Sequence, residues 1–119
     1  MLNLRFTFPL TRRIRKKVHF KYVYAHAKRM DNALVRIYVS QSFKERGGVA
    51  FIASKRVGNA VQRNKCRRRL SEIYRLNQHK IMNNIDIIFV AKNRLLDISF
   101  DQALNQIQKL LREKSFLKD

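Results

Sequence analysis

Residues 58–70 read GNAVQRNKCRRRL, and the pattern in this stretch decides how the chain folds. At about 100° per residue in a helix, one arc carries mostly apolar residues and the opposite arc carries most of the cations. The first arc continues past the stretch and consists of Cys66, Leu70, Ile73, Tyr74 and Asn77. The opposite arc consists of Lys65, Arg68, Arg69 and Arg75, with Arg63 and Arg67 bordering the apolar arc. The sequence therefore predicts a helix that packs on a sheet with one side and exposes a cationic ridge on the other.

Gly58 and Asn59 stand where this helix is predicted to begin. Asn59 is a favoured N-cap residue, because its side-chain oxygen can accept a hydrogen bond from a backbone N–H of the first turn. Asn59 and Asn64 could also donate to phosphate or 2′-hydroxyl oxygens of a nucleic acid. A cap and a binding role therefore both stay open for Asn59.

The remaining apolar patterns predict an α+β protein. Helical spacing predicts a first amphipathic helix over residues 17–29 and a last helix within residues 99–111. Ser99 and Gln102 stand in capping-box spacing at the start of the last helix. Three segments have the composition of strands: 33–40, 49–54 and 85–91. The first two strands are predicted to pair as a hairpin joined between Gln41 and Gly48. The predicted order is α-β-β-α-β-α, with room for an additional short strand, and the helices pack on one small central sheet as an α/β sandwich.

Charge is the most unusual property of the composition. The chain has 27 basic and 8 acidic residues and a net charge of +19. Residues 97–119 are neutral overall, so the whole excess lies in residues 1–96. Self-repulsion of this size destabilises a compact protein unless a polyanion neutralises it. Nucleic acid is therefore the leading class of partner, and an anionic membrane surface is the weaker one. No apolar run approaches the roughly 18 to 20 residues of a membrane span.

The first ten residues, MLNLRFTFPL, are apolar but do not have the form of a signal peptide. Arg5 interrupts them and no small-residue cleavage site follows, so we interpret them as mature sequence and expect a cytoplasmic protein. The chain is expected to form one domain over residues 1–119. Residues 1–11 are expected to be the least well ordered part of it.

No arrangement of residues predicts a catalytic or metal site in the protein itself. The eight acids are scattered, and the histidines lie in polar or basic surroundings. The segment KRVGNAV lacks the spacing of a nucleotide-binding glycine loop. The single cysteine, Cys66, excludes an intramolecular disulfide and is interpreted as a small apolar residue on the buried side of the helix. Its basic surroundings leave a lowered thiol pKa as a second interpretation.

Aromatic residues stand among the cations at two places. Tyr38 alternates with the apolar residues of its predicted strand and so shares a face with Arg36. Phe20 and Tyr24 lie one helical turn apart in the first basic helix. Aromatic rings between cations suit unpaired nucleotides, which need a stacking surface and neutralisation of the backbone. Ordinary core packing of an amphipathic helix remains the alternative for Phe20 and Tyr24.

The segment ASKRVGNAVQRNKCRRRL (53–70) resembles the signature of the protein subunit of bacterial ribonuclease P. The matching residues are Ser54, Lys55, Gly58, Asn59, Ala60, Val61, Arg63, Asn64 and Arg68. FPLTRRIRKKVHF (8–20) and DIIFVAK (86–92) also resemble segments of that family. Departures from the family pattern occur at Lys65, Cys66, Arg67, Ser71 and Lys92, and Ser71 puts in doubt a contact that an arginine would make there.

The resemblance implies that the chain binds the catalytic RNA of ribonuclease P through its basic helix. The residues implied in this contact are Lys55, Arg56, Asn59, Arg63, Asn64, Lys65, Arg67 and Arg68. The resemblance also implies a cleft between the first helix and the sheet that binds the 5′ leader of precursor tRNA. Its residues are Phe20, Tyr24 and Tyr38, with Arg36 on the same strand face. A left-handed βαβ crossover is expected from the family, against the usual right-handed rule.

In the activity that the resemblance implies, the RNA subunit hydrolyses the phosphodiester bond and the RNA-containing holoenzyme requires Mg²⁺. The protein supplies no catalytic residue and binds no metal or small-molecule cofactor by itself. Its implied contribution is greater affinity for precursor tRNA, better discrimination of that substrate, and support of metal binding and metal-dependent cleavage by the complex. A structural ribosomal-type RNA-binding protein is the alternative, since it explains the charge equally well. A protein-only nuclease is disfavoured, because clustered acids and histidines are lacking.

Overall fold

The computed structural model describes residues 13–42, 47–82 and 84–117. The helices among these residues are α1 (Lys17–His26), α2 (Ala60–Asn77) and α3 (Phe100–Glu113). The strands are β1 (Lys28–Asp31), β2 (Val35–Gln41), β3 (Val49–Ile52) and β4 (Ile85–Ala91). Short 3₁₀ turns over Lys55–Val57 and Asn93–Leu96 precede α2 and α3. The α+β class is thus confirmed, with β1 as the additional short strand.

Strand β4 lies in the interior of the sheet, whose strand order is β1-β2-β4-β3. It pairs antiparallel with β2 and parallel with β3. Its sequence, IDIIFVA, is buried along the strand except at Val90, which is half-buried. A strand that buries both of its faces is best placed between two others with helices on each side. The predicted hairpin of β2 with β3 is therefore wrong, because β4 lies between them.

The first helix is shorter than predicted. It ends at His26, and Ala27 already has an extended backbone with ψ of 149°. Residues 28–31 then pair antiparallel with β2, burying Met30 while its neighbours Arg29 and Asp31 stay exposed. Without this pairing the outer edge of β2 would leave its backbone groups unpaired. The prediction of helix up to residue 29 is wrong for this reason.

The helices cover both faces of the sheet. The larger core lies between the sheet and α2 with α3, and it contains the apolar residues that the sequence placed on the inner arc of α2. Asn77 is buried with them, because its amide donates to the carbonyl of Ile73 (2.8 Å) and accepts from Gln108 of α3 (2.8 Å). Burial raises the pKa of the Cys66 thiol more than the charges of Arg69 and Arg67 lower it, so the interpretation of a lowered pKa is wrong.

Helix α1 packs on the opposite face through Val23, which is fully buried. Its His19 side chain reaches Asp86 of β4, with 2.9 Å between Nε2 and Oδ2. The other oxygen of this buried carboxylate accepts from the backbone N–H of Gly48, at 2.7 Å. Asp86 is thus a buried acid with two partners, and it ties both α1 and the entry to β3 to the central strand.

The segment β3–α2–β4 is a parallel crossover, since β3 and β4 are parallel neighbours and α2 connects them. The left-handed sense expected from the family stays a prediction. The expectation for residues 1–11 lies outside the described residues. Among the helices that are described, none is long and apolar enough to cross a membrane.

Candidate nucleic-acid interface

The outer side of α2 presents a row of polar and cationic side chains, which we call the α2 ridge. The ridge consists of Asn59, Arg63, Asn64, Lys65, Arg67 and Arg68. The side chains of Lys65 and Arg68 are exposed, and those of Arg63 and Arg67 are half-buried. The arginines on the ridge can bind phosphate oxygens with two parallel hydrogen bonds.

The start of α2 is fixed by a reciprocal pair of hydrogen bonds. Asn59 Oδ1 accepts from the backbone N–H of Gln62, and Gln62 Oε1 accepts from the backbone N–H of Asn59, both at 2.9 Å. Gly58 has φ of 141°, a conformation that favours glycine, and a Cβ there would lie 1.9 Å from Gln62 Oε1. The cap role of Asn59 is confirmed, and this rigid start sets the register of the ridge.

Two ridge arginines are oriented by neutral partners. Arg63 Nη1 donates to the carbonyl of Gly58 at 3.1 Å, and Arg67 donates to the side-chain oxygen of Asn64. These hydrogen bonds hold the guanidinium groups in place but do not neutralise their charge. The ridge therefore keeps its attraction for a polyanion while its geometry is restrained.

Arg69 does not belong to the exposed cationic arc, contrary to the prediction from helical spacing. Its Nη1 donates to the carbonyl of Leu95 at 2.9 Å and to that of Ile98 at 2.7 Å. Both carbonyls lie between β4 and α3, so Arg69 joins α2 to that connection. Arg75 is also engaged, since its Nε donates to Glu72 at 2.9 Å, and this hydrogen bond is the main reason why the pKa of Glu72 is lowered.

A cavity of about 420 Å³ opens between the ridge and the edge of the sheet. It is lined by Arg13, Phe51, Asn64, Arg67, Arg68 and Ser71. Arg13 reaches this place because residues 13 and 14 run beside β3, with Ile14 N–H donating to the carbonyl of Val49 at 3.0 Å. Arg13 was not among the predicted site residues, although it belongs to a basic run and to the segment 8–20 that resembles the family.

A second surface lies on the opposite face of the sheet, between α1 and β2. Its aromatic residues are Phe20, Tyr24 and Tyr38, which we call the aromatic face. The rings of Tyr24 and Tyr38 meet edge to face with centroids 4.8 Å apart, and Phe20 stacks on Tyr24 at 6.3 Å. Phe20 and Tyr38 pack partly on the α1 core, whereas Tyr24 is 44% exposed. Core packing thus accounts for part of the buried surface of Phe20 and Tyr38. Tyr24 remains accessible to solvent.

Burial and the neighbouring Tyr38 hydroxyl raise the pKa of Tyr24, so its phenol keeps its proton at neutral pH. A neutral hydroxyl can donate to a phosphate or a base, whereas a phenolate would repel the phosphate backbone. Tyr24 therefore combines a partly exposed side chain with a usable hydrogen-bond donor.

The aromatic face continues into a cationic cavity of about 400 Å³ at the end of the sheet. Four cations line this cavity: Arg36, Arg56, Lys92 and Arg94. The structure thus brings Arg36 together with Tyr38, as the alternation along β2 predicted. It also places Arg56 at this cavity, although the family resemblance implies a role for Arg56 together with the α2 residues.

A cation-rich α+β fold with a charged helix ridge on one side and an aromatic surface on the other has the features of a nucleic-acid-binding protein. The chain belongs to the ribonuclease P protein family, because the family model for ribonuclease P matches residues 8–115. Its function is that of the protein subunit of ribonuclease P, in tRNA processing, and the ribonuclease P activity is carried with the RNA subunit. This membership decides against the ribosomal-type alternative.

Known relatives support the same assignment. The ribonuclease P protein component of Alkaliphilus oremlandii is 38% identical over 105 residues, which cover 88% of this chain and 92% of that protein. The corresponding component of Clostridium novyi is 35% identical over 84% of this chain and 90% of its own length. The solved structure of the Staphylococcus aureus RNase P protein has a TM-score of 0.80 at 25% identity, covering 90% of this chain and 98% of that one. Association with ribonuclease P RNA follows from this membership.

The adjacent arginines Arg68 and Arg69 form a matched pair for a test. Arg68→Ala should weaken assembly with ribonuclease P RNA and make the negative slope of log K against log salt less steep by about 0.7 to 0.9, as for one lost phosphate contact. Arg69→Ala should instead lower the free energy of unfolding by about 2 kcal/mol, because two partly buried carbonyls lose a charged donor. Filter binding across salt concentrations and urea unfolding measure the two effects. Equal losses of assembly for both variants would contradict the division of roles.

Proposed function

We propose that the α2 ridge, with the preceding 3₁₀ turn, is the surface that binds ribonuclease P RNA. The observation that carries this proposal is the rigid cationic row, in which acidic partners are few. Among the described residues of α2, Glu72 is the sole acid, and it is paired with Arg75. Lys55 and Arg56 on the turn are exposed and extend the row beyond the start of α2. A helix held rigidly on a sheet can present arginines in a fixed register to folded RNA, which a disordered tail could not.

We propose that the aromatic face binds the 5′ leader of precursor tRNA. A leader is single-stranded, so its bases are free to stack on side chains, and each base–aromatic stack contributes about 1 to 3 kcal/mol. Tyr24 offers an exposed ring, and Tyr38 supports it from the sheet at 4.8 Å. Arg36 lies on the same strand face and provides a cation for the phosphates.

The cationic cavity extends this leader path along the sheet. Arg36 lines the cavity and also stands beside the aromatic face, so a strand stacked on Tyr38 would have its backbone directed to the cavity. The alternation along β2 separates Tyr38 from Arg36 by two residues, or roughly 7 Å of strand. Arg56 lies at the far side of the same cavity and begins the path to α2. The leader and the RNA subunit would then contact one continuous cationic surface.

We further propose that the holoenzyme requires Mg²⁺ and that the RNA subunit holds it. In the part of the chain that the structure describes, no group of three or more histidine, cysteine or acidic side chains could hold a metal ion. The cations of the protein can instead reduce repulsion between the phosphates of two RNAs, which lowers the demand for divalent ions. We place this activity in the cytoplasm and in one domain spanning residues 1–119.

Cleavage of a precursor tRNA by a bacterial ribonuclease P RNA, with and without the protein, tests the function directly. At low millimolar Mg²⁺, the protein should restore accurate 5′ cleavage that the RNA alone performs poorly, because its cations replace part of the ionic screening. The measured quantities are the cleavage rate and the position of the new 5′ end. If tight binding leaves cleavage unchanged even with the RNA of the same organism, the proposed contribution to cleavage is wrong.

The aromatic face predicts a selective effect of Tyr38→Ala. The holoenzyme should lose roughly fivefold or more in affinity for precursor tRNA, since loss of a stacking ring costs about 1 kcal/mol or more. Affinity for mature tRNA should change little, because mature tRNA has no leader. Tyr38→Phe, which keeps the ring, is the matched control and should retain most of the affinity. An equal loss for precursor and mature tRNA would count against a leader contact.

A further inference from the structure

An acidic side chain stands among the cations of the proposed leader site. Asp31, at the end of β1, lies on the same face of the sheet as Arg36, its cross-strand partner. Its Oδ1 lies 2.8 Å from Arg36 Nε and 2.9 Å from Lys92 Nζ. Its Oδ2 lies 3.7 Å from Arg29 Nε. One carboxylate therefore contacts cations from three different segments of the chain.

Stability alone is a weak reason for this acid. The side chains of Asp31, Arg36 and Lys92 are each about a third exposed, at 33%, 39% and 33%. Ion pairs as exposed as these contribute little to folding. A negative charge beside a nucleic-acid surface also repels phosphates. Neither folding stability nor direct attraction of RNA therefore explains Asp31, and its contacts with the surrounding cations remain as its role.

The contacts of Asp31 restrain two long side chains that line the cationic cavity. The ion pair uses Nε of Arg36, so the two terminal nitrogen atoms of the guanidinium lie outside it. Lys92 is held at a second point, because its Nζ also donates to the carbonyl of Asn32 at 2.8 Å. Both side chains would otherwise lose much rotamer freedom on binding a phosphate, so restraint before binding favours affinity.

Arg36 also stands beside the aromatic face, because it shares a strand face with Tyr38. The hydrogen bond to the Asp31 carboxylate is the main reason why the pKa of Arg36 is raised, and the neighbouring Tyr38 contributes to the same shift. Burial by itself would raise the pKa of Asp31, but the hydrogen bonds and charges of Lys92 and Arg36 outweigh it and lower that pKa. Asp31 is ionised at neutral pH, and its carboxylate joins Arg36 to Lys92.

We propose that Asp31 is a positioning residue for leader binding, which holds Arg36 and Lys92 in place to bind a phosphate of the single-stranded leader. The inference rests on the proposed leader function of this face. A negative charge beside an RNA-binding surface is unfavourable by electrostatics alone. The charge effect and the positioning effect therefore predict opposite changes in RNA affinity when the carboxylate is removed. Removal of a negative charge should strengthen binding to RNA if charge alone matters. If Asp31 positions the cations, its removal should weaken binding of the leader.

The test measures the affinity of the reconstituted holoenzyme for precursor and mature tRNA. Asp31→Asn should reduce affinity for the precursor about two- to fivefold, within what loss of an oriented ion pair allows. It should leave affinity for mature tRNA unchanged or slightly raised. Glu113→Gln makes the same change of charge at an exposed position of α3, on the other side of the sheet. This control should show no loss for either RNA.

A variant lacking both cations, Arg36→Gln with Lys92→Gln, tests whether Asp31 acts through them. In that background Asp31→Asn should cause no further loss of precursor affinity. A persistent loss there would overturn the positioning role, and so would an Asp31→Asn variant that binds precursor as tightly as the wild type or tighter. If the wild-type holoenzyme shows no preference for precursor over mature tRNA, the proposed leader function itself is wrong. That outcome is distinct from a failure of the positioning role of Asp31 alone.

Discussion

Burial of β4 on both faces is the constraint on which the rest of the structure depends. The strand places α2 and α3 on one side of the sheet and α1 on the other, and it pairs with both β2 and β3. The α2 ridge and the aromatic face therefore belong to opposite layers of one rigid body. Asp86 reinforces this arrangement, because the same strand binds α1 through His19. The α2 ridge and the aromatic face are thus held in a fixed relation, which the proposed binding of two different RNAs requires.

The many cations of the chain have different roles, and their partners distinguish them. Arg69 donates to two backbone carbonyls and Arg75 to a carboxylate, so these residues maintain the structure around α2. Arg63 and Arg67 have neutral partners that orient them and leave their charge available. Arg36 shares a carboxylate with a lysine. The net charge of +19 thus includes cations that maintain the structure and cations that are proposed to face RNA. Their hydrogen-bond partners distinguish the two kinds.

Local patterns predicted the parts of the fold that depend on neighbours in sequence. Helical spacing identified the buried side of α2 down to Asn77, and alternation along β2 placed Tyr38 beside Arg36. The same patterns could not tell which strand lies next to which, because an apolar run specifies burial and not its partner. The hairpin prediction failed for this reason. The contacts of Arg69 with Leu95 and Ile98 span 26 and 29 residues, and such a separation leaves no periodic signal in the sequence.

The central claim is that the two surfaces contact different RNAs in one holoenzyme, and site-specific photo-crosslinking tests it most directly. A photoreactive phenylalanine derivative would replace either Tyr38 or Arg68, in holoenzyme bound to a precursor tRNA labelled in its leader. The probe at position 38 should crosslink to the leader, and the probe at position 68 should crosslink to ribonuclease P RNA. Crosslinks from both positions to the same RNA, or leader crosslinks from position 68 alone, would contradict the central claim.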